Sequence, residues 1–232
     1  MKRIILAISV FFFSINIFAQ KFELGFIGGY QLTNAYAFVG GDIDKINFNP
    51  KPGSGFSIGG YFGWTFHKNF GLDVQLLYAM RSYSFNMQYV KSDTSTIFKR
   101  QQFNLELPVH LNYRIKINNK FTIYPLIGAS VNMALHGKDI AYENTDVQKP
   151  VDKKTDSSSL FNKDGRTNRF EFSPEIGILF KYKNLGIRPL YSIGVTNLTN
   201  KSFSWTFYLP KDQSKYLFNR ELKLTITYTF KL

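Results

Sequence analysis

The chain contains no cysteine. That excludes disulfides, a lipidated N-terminal cysteine and thiol catalysis alike. Histidine is scarce, with His67, His110 and His136 far apart and without the close spacing of metal ligands. Long apolar runs are also missing: beyond the first 19 residues no stretch approaches the ~18 consecutive apolar residues of a membrane-spanning helix. Acidic residues are outnumbered, 16 against 29 basic ones, for a formal charge of +13. What the chain has in excess is aromatic side chains, 17% of its residues, with 24 phenylalanines. So much apolar surface without a helical span must follow another period.

The first residues set the compartment. Met1, Lys2 and Arg3 form a basic start, positions 4–13 are apolar apart from Ser9, and Ile17, Phe18 and Ala19 end at a small residue. This layout predicts a signal peptide over 1–19, cleaved after Ala19, and an exported domain over 20–232.

Within 20–232 the period is two. Taken by alternate residues, 22–30, 56–66, 72–80, 103–115, 121–135, 170–182, 185–197 and 218–230 give eight apolar faces. Only Arg220 among those positions is charged, although charged residues make up 19% of the chain. A Lys or Arg on the lipid face of a membrane barrel costs roughly 2–4 kcal/mol at mid-bilayer. The alternate faces carry Glu23, Asp73, Glu106, Arg114, Glu171, Glu175, Lys181, Arg188, Glu221 and Lys223. Apolar outside and polar inside is the reverse of a soluble barrel. The fold class predicted is all-β: an eight-stranded antiparallel transmembrane barrel with short periplasmic turns and four long external loops.

Connection lengths agree. Short turns fall at 67–70, 116–120 and 183–184; long loops span about 31–54, 86–101, 136–168 and 199–216. Outward aromatics form a low belt (Trp64, Tyr113, Tyr182, Tyr228) and a high one (Tyr30, Tyr78, Phe103, Phe170), as headgroup-level rings should. Pro108, Pro125, Pro174 and Pro189 lie inside the strands, where each removes a ladder bond and suggests a bulge. The paired Ile-Gly-Gly-Tyr segments ending at Tyr30 and Tyr61 fall in opposite parity, so Tyr30 should face out and Tyr61 in.

The inward charges are the first candidate site. With Arg81 and Arg169, which continue the inward phase, they comprise six acids and six bases. An eight-stranded interior is just wide enough for side chains to fill it. Balanced signs favour a plug of paired charges over a selective ion path, which should show one dominant sign. Asp73 and Arg114, at matching heights, are the expected pair. A hydrolase reading would need Ser130, His136 and Asp139 in mutual reach near a rim, but no nucleophile motif accompanies them. Neither catalysis, a metal nor a cofactor is expected. The second candidate is the fourth long loop, where Phe203, Trp205 and Phe207 continue the outward parity beyond the membrane edge, either as a hairpin extension resting on the lipopolysaccharide surface or as an exposed aromatic surface for a protein partner. The third long loop carries six bases and six acids and reads as solvated. Basic residues at the short-turn end, including Lys68, Lys116, Lys120, Lys181 and Lys183, suit anionic lipid headgroups. Lipid and lipopolysaccharide are the expected surroundings; nucleic acid is not an expected partner.

The segment 103–115, FNLELPVHLNYRI, with 121–135 and the YSIGVTN of 191–197, resembles the PorT-like outer-membrane β-barrel family of Bacteroidetes. The residues carrying it are Leu105, Glu106, Leu107, Pro108, Leu111 and Tyr113, with Asn112 where the family usually has Lys. The resemblance implies an outer-membrane barrel and, through the family's name-giving member, an accessory role in protein secretion. The Phe18-Ala19-Gln20 junction is similar to signal ends in that phylum. Phe230 is similar to the C-terminal aromatic read by the barrel-assembly machinery, although Lys231 and Leu232 follow it.

Overall fold

A chain rich in alternating apolar residues must pair all its backbone groups between strands, and in lipid it must do so without an edge. The computed structural model meets both demands. It describes residues 21–39, 46–89, 95–144, 153–159, 161, 167–198 and 215–231. Eight long strands form the wall: β1 (Lys21–Val39), β2 (Ile46–Thr65), β3 (Phe70–Tyr89), β4 (Ser95–Tyr113), β5 (Phe121–Asn144), β6 (Phe170–Tyr182), β7 (Leu185–Ile193) and β8 (Lys215–Lys231). Each pairs antiparallel with its chain neighbours, and β1 pairs with β8 from Glu23↔Lys231 to Val39↔Lys215, so the sheet closes on itself. A two-residue piece, Ile115–Lys116, continues the β4 side against β5, and Lys153–Ser159 pairs with the far end of β5. The eight-stranded antiparallel barrel expected from parity is the fold.

The alternation is visible in exposure. Along β6 and β7, outward Phe170, Ile176 and Ile187 are exposed while Glu171, Glu175 and Arg188 are buried. Tyr30 faces out and Tyr61 in. Curvature this tight needs small residues where strands approach: a Cβ on Gly59 would stand 1.9 Å from the Leu76 carbonyl oxygen, and one on Gly128 2.0 Å from that of Val109. Turns at the short end are tight, and Lys183 in the two-residue β6–β7 turn adopts φ 52°, as a primed hairpin turn requires.

Three expectations are corrected. Much of the first three long loops is strand: β1 runs to Val39 and β2 starts at Ile46, β3 and β4 reach Tyr89 and Ser95, and β5 runs to Asn144. The physical reason is that hairpins continue to satisfy their backbone beyond the membrane, where the outward face no longer has to be apolar. The four strand prolines do not make bulges. Register is unbroken through Pro125↔Ile178 and Pro174↔Ala129, and at Pro108 and Pro189 pairings on one side drop out without a register shift. The irregularities lie elsewhere, between Pro52 and Phe56 and opposite Phe103/Asn104. Finally, regular β7 stops at Ile193 rather than 197. Beyond it the backbone is held singly, Gly194 N–H donating to Asn219 O (2.8 Å) and Val195 N–H to Phe172 O (3.0 Å).

Candidate functional site

A charge placed inside a narrow barrel is taken from water and must find a partner or leave the site. Inward parity brings Arg81 of β3 to the centre of the lumen, fully buried, where its fork can meet several carboxylates at once. It lies 2.7 Å from Glu106 of β4, 2.5 Å from Glu171 of β6 and 2.7 Å from Glu221 of β8. Lys223 Nζ adds a second hub, 2.9 Å from Glu106, 3.2 Å from Glu175 and 3.2 Å from Glu221. His110 completes this layer, with Nε2 2.8 Å from Glu175 and Nδ1 3.4 Å from Gln75 Nε2. Thr33 of β1 donates to Glu221 (3.3 Å). The layer thus ties β1, β3, β4, β6 and β8 across the bore.

A second cluster lies nearer the short-turn end. Asp73 accepts from Arg188 (2.8 Å), Tyr61 Oη (2.9 Å) and Asn112 Nδ2 (2.8 Å), and the Arg188 guanidinium also lies over the Tyr61 ring. Lys181 donates to Glu23 at the mouth itself. At the opposite end Arg100 grips Asp139 through both Nε and Nη2 (2.7 Å each) and donates to Tyr83 Oη (3.2 Å). Polar clusters therefore occupy the bore in tiers from one end to the other.

Most of the predicted inward charges meet. Glu23, Asp73, Glu106, Glu171, Glu175, Lys181, Arg188, Glu221 and Lys223 all lie in ion pairs. Three departures from expectation stand beside them. Asp73 takes Arg188 rather than Arg114, because Arg114 follows the end of β4 and stands at the mouth. Arg169 is exposed and donates to the Ala134 and Leu135 carbonyls, where the β4–β5 irregularity turns those groups toward it. Lys181 faces Glu23 rather than lipid.

Sequence reasoning missed the Arg100–Asp139 pair because both residues fell in segments read as loops. The signal was present, since Arg100 keeps the inward parity of Glu106. Ser130 is fully buried in the wall, His136 stacks on Phe103 outside (centroids 4.6 Å apart) and Asp139 is held by Arg100. The three residues of the hydrolase reading are not brought together. Among the described residues no group of histidines and carboxylates suits a metal ion. Phe203, Trp205 and Phe207 lie outside the described residues.

The model of the outer membrane protein beta-barrel domain family matches residues 18–200. The chain belongs to that family. Membership places the apolar outer wall in the bacterial outer membrane, short turns on the periplasmic side and hairpins outside. No curated protein matches the chain. Among solved structures it is similar to Ail, the attachment invasion locus protein of Yersinia pestis, at 17% identity over 90% of this chain and 98% of that one, with a TM-score of 0.38. It is also similar to OprG from Pseudomonas aeruginosa, at 12% identity over 90% and 95%, with a TM-score of 0.44. Neisserial surface protein A is a third, at 12% identity over 88% and 97%, with a TM-score of 0.38.

Proposed function

We propose that the protein is a plugged, non-enzymatic scaffold of the outer membrane whose external hairpins engage a partner. The observation that carries this reading is the central brace: Arg81 and Lys223 join carboxylates from β4, β6 and β8 across the whole bore. Opposite charges held within 3.2 Å of one another across the bore favour a plug, because a selective pore should instead line its bore with one sign. The separation of Ser130, His136 and Asp139 supports the absence of hydrolytic chemistry. Residues 1–19 serve as the export signal, the barrel-assembly machinery acts during biogenesis, and lipid with lipopolysaccharide surrounds the wall. Reconstituted in planar bilayers, the protein is expected to give no reproducible openings. Steady steps on the nanosiemens scale would replace the scaffold by a channel.

Function then falls to the external side. Phe203, Trp205 and Phe207 offer large apolar area at small entropic cost, the usual material of binding anchors. Replacing all three with Ser is expected to leave heat-modifiable migration intact and to abolish partner capture by crosslinking in native membranes. Loss of the folded form would assign them to the barrel, and unchanged capture would clear them of binding.

The segment 103–115 favours a second reading. Its Leu105-Glu106-Leu107-Pro108 core, similar to PorT-like barrels, supports an accessory role in protein secretion. Here Glu106 is an anchor of the central brace and Pro108 is buried on the same inward parity, so the same residues also have a purely architectural use. Secretion components among the crosslinked partners would decide for the accessory role.

A further inference from the structure

The tiers of paired charge end at the periplasmic mouth, where the balance fails. A cavity of about 290 Å³ opens there, far above the ~10–15 Å³ that a single water needs. Five bases and two acids line it. Both acids are already committed, Glu23 to Lys181 and Asp73 to Arg188. Lys21, Arg114, Lys120 and Lys183 remain around one cavity without a carboxylate partner among the described residues. Arg114 is the most telling of them. Its Nε is buried and has no hydrogen-bond partner among the described residues, an expensive state for a charged donor.

The placement follows from the fold. Arg114 follows the last residue of β4, and its N–H donates to Asn69 O (2.6 Å) in the neighbouring turn, which fixes its backbone over the mouth. Lys183 N–H donates to Lys120 O (2.8 Å), which ties the β6–β7 turn to the far end of the same β4–β5 turn. The β4–β5 turn thus brings Arg114 and Lys120 to the opening, the β6–β7 turn brings Lys183, and Lys21 joins them from the start of β1. Like charges gathered around one recess focus a positive field, and the repulsion among them falls when an anion enters.

We propose that this vestibule binds a phosphate-bearing anion that enters from the periplasmic side. A guanidinium offers paired N–H donors matched to phosphate oxygens, and ammonium groups add mobile point charges around it. A soluble phosphate compound can reach the cavity through the mouth. A phospholipid headgroup of the inner leaflet can reach it only by bending over the rim at the turns. Both sources carry the same chemistry. The site is independent of any partner at the external hairpins.

Trp64 stands at the edge of the cavity, its ring against Phe22 in the outward belt, and is one of only two tryptophans, so W205F makes it the sole reporter. The full-length protein in nanodiscs of phosphatidylcholine is titrated with inorganic phosphate, and separately moved to nanodiscs with rising phosphatidylglycerol. A saturable change in Trp64 emission is expected in at least one arm, and the arm that responds names the source. R114Q/K120Q should weaken the response at least tenfold, while K138Q, on the external hairpin, should leave it unchanged. If the double variant does not give the folded, heat-modifiable form, K120Q alone is expected to weaken binding several-fold. No saturable change in either arm, an equal response to chloride at matched ionic strength, or full binding by folded variants would overturn the proposal.

Discussion

Replacing Arg81 with Met is expected to destabilise the barrel by about 3–5 kcal/mol, because breaking a buried ion pair from one side leaves its partners uncompensated. Here Glu106, Glu171 and Glu221 would face one another in the bore with only Lys223 to share. The measurement is urea unfolding of refolded protein in lipid, followed by the loss of heat-modifiable migration. R81K should fall between wild type and R81M, since an ammonium cannot span three carboxylates as a fork does. Adding E171Q to R81M should recover part of the loss, which a purely steric effect of Met would not do. A value for R81M within ~1 kcal/mol of wild type would mean that the brace contributes little and that water compensates the charges. It would also weaken the plugged reading.

A charge on the outer wall is expected to act by depth rather than by partner. Ile176 is 59% exposed, midway along β6 between Phe170 and Tyr182 of the two aromatic belts. I176R should cost roughly 2–4 kcal/mol, whereas I117R, at a short turn, should cost roughly 0–1. The same unfolding assay in lipid reads both. Equal costs at the two sites would argue that the belts do not mark the membrane edges.

The wall was legible from sequence because lipid imposes one rule on every strand. Outward positions from Phe22 to Phe230 must be apolar, so alternate residues sort themselves without knowledge of their neighbours. Beyond the membrane that rule lapses. At the external end the buried inward residues include Ala35, Tyr83, Ala134 and Leu217. In 83–89 the apolar residues sit on the parity that was polar lower in β3. A reading by outward apolarity therefore stopped short of the hairpins and missed Arg100 with Asp139. Partner choice inside the bore was less legible for a different reason. Parity says which side chains point inward but not their relative heights, which depend on the stagger between strands. Sequence height alone pairs Asp73 with Arg114, and the stagger gives it Arg188 from β7 instead.

The seam between β1 and β8 has a consequence for how the molecule comes into being. The last strand made must find the first, across almost the whole chain, and pairings of such long sequence separation form slowly. That same strand delivers Glu221 to Arg81, and Lys223 to Glu106 and Glu175. Before β8 arrives the open sheet lacks one of its two cationic hubs and one of the carboxylates around the other. Zipping the wall and neutralising the interior are therefore one event. A nascent barrel halted before β8 docks would be left with both an unpaired edge and unbalanced charge.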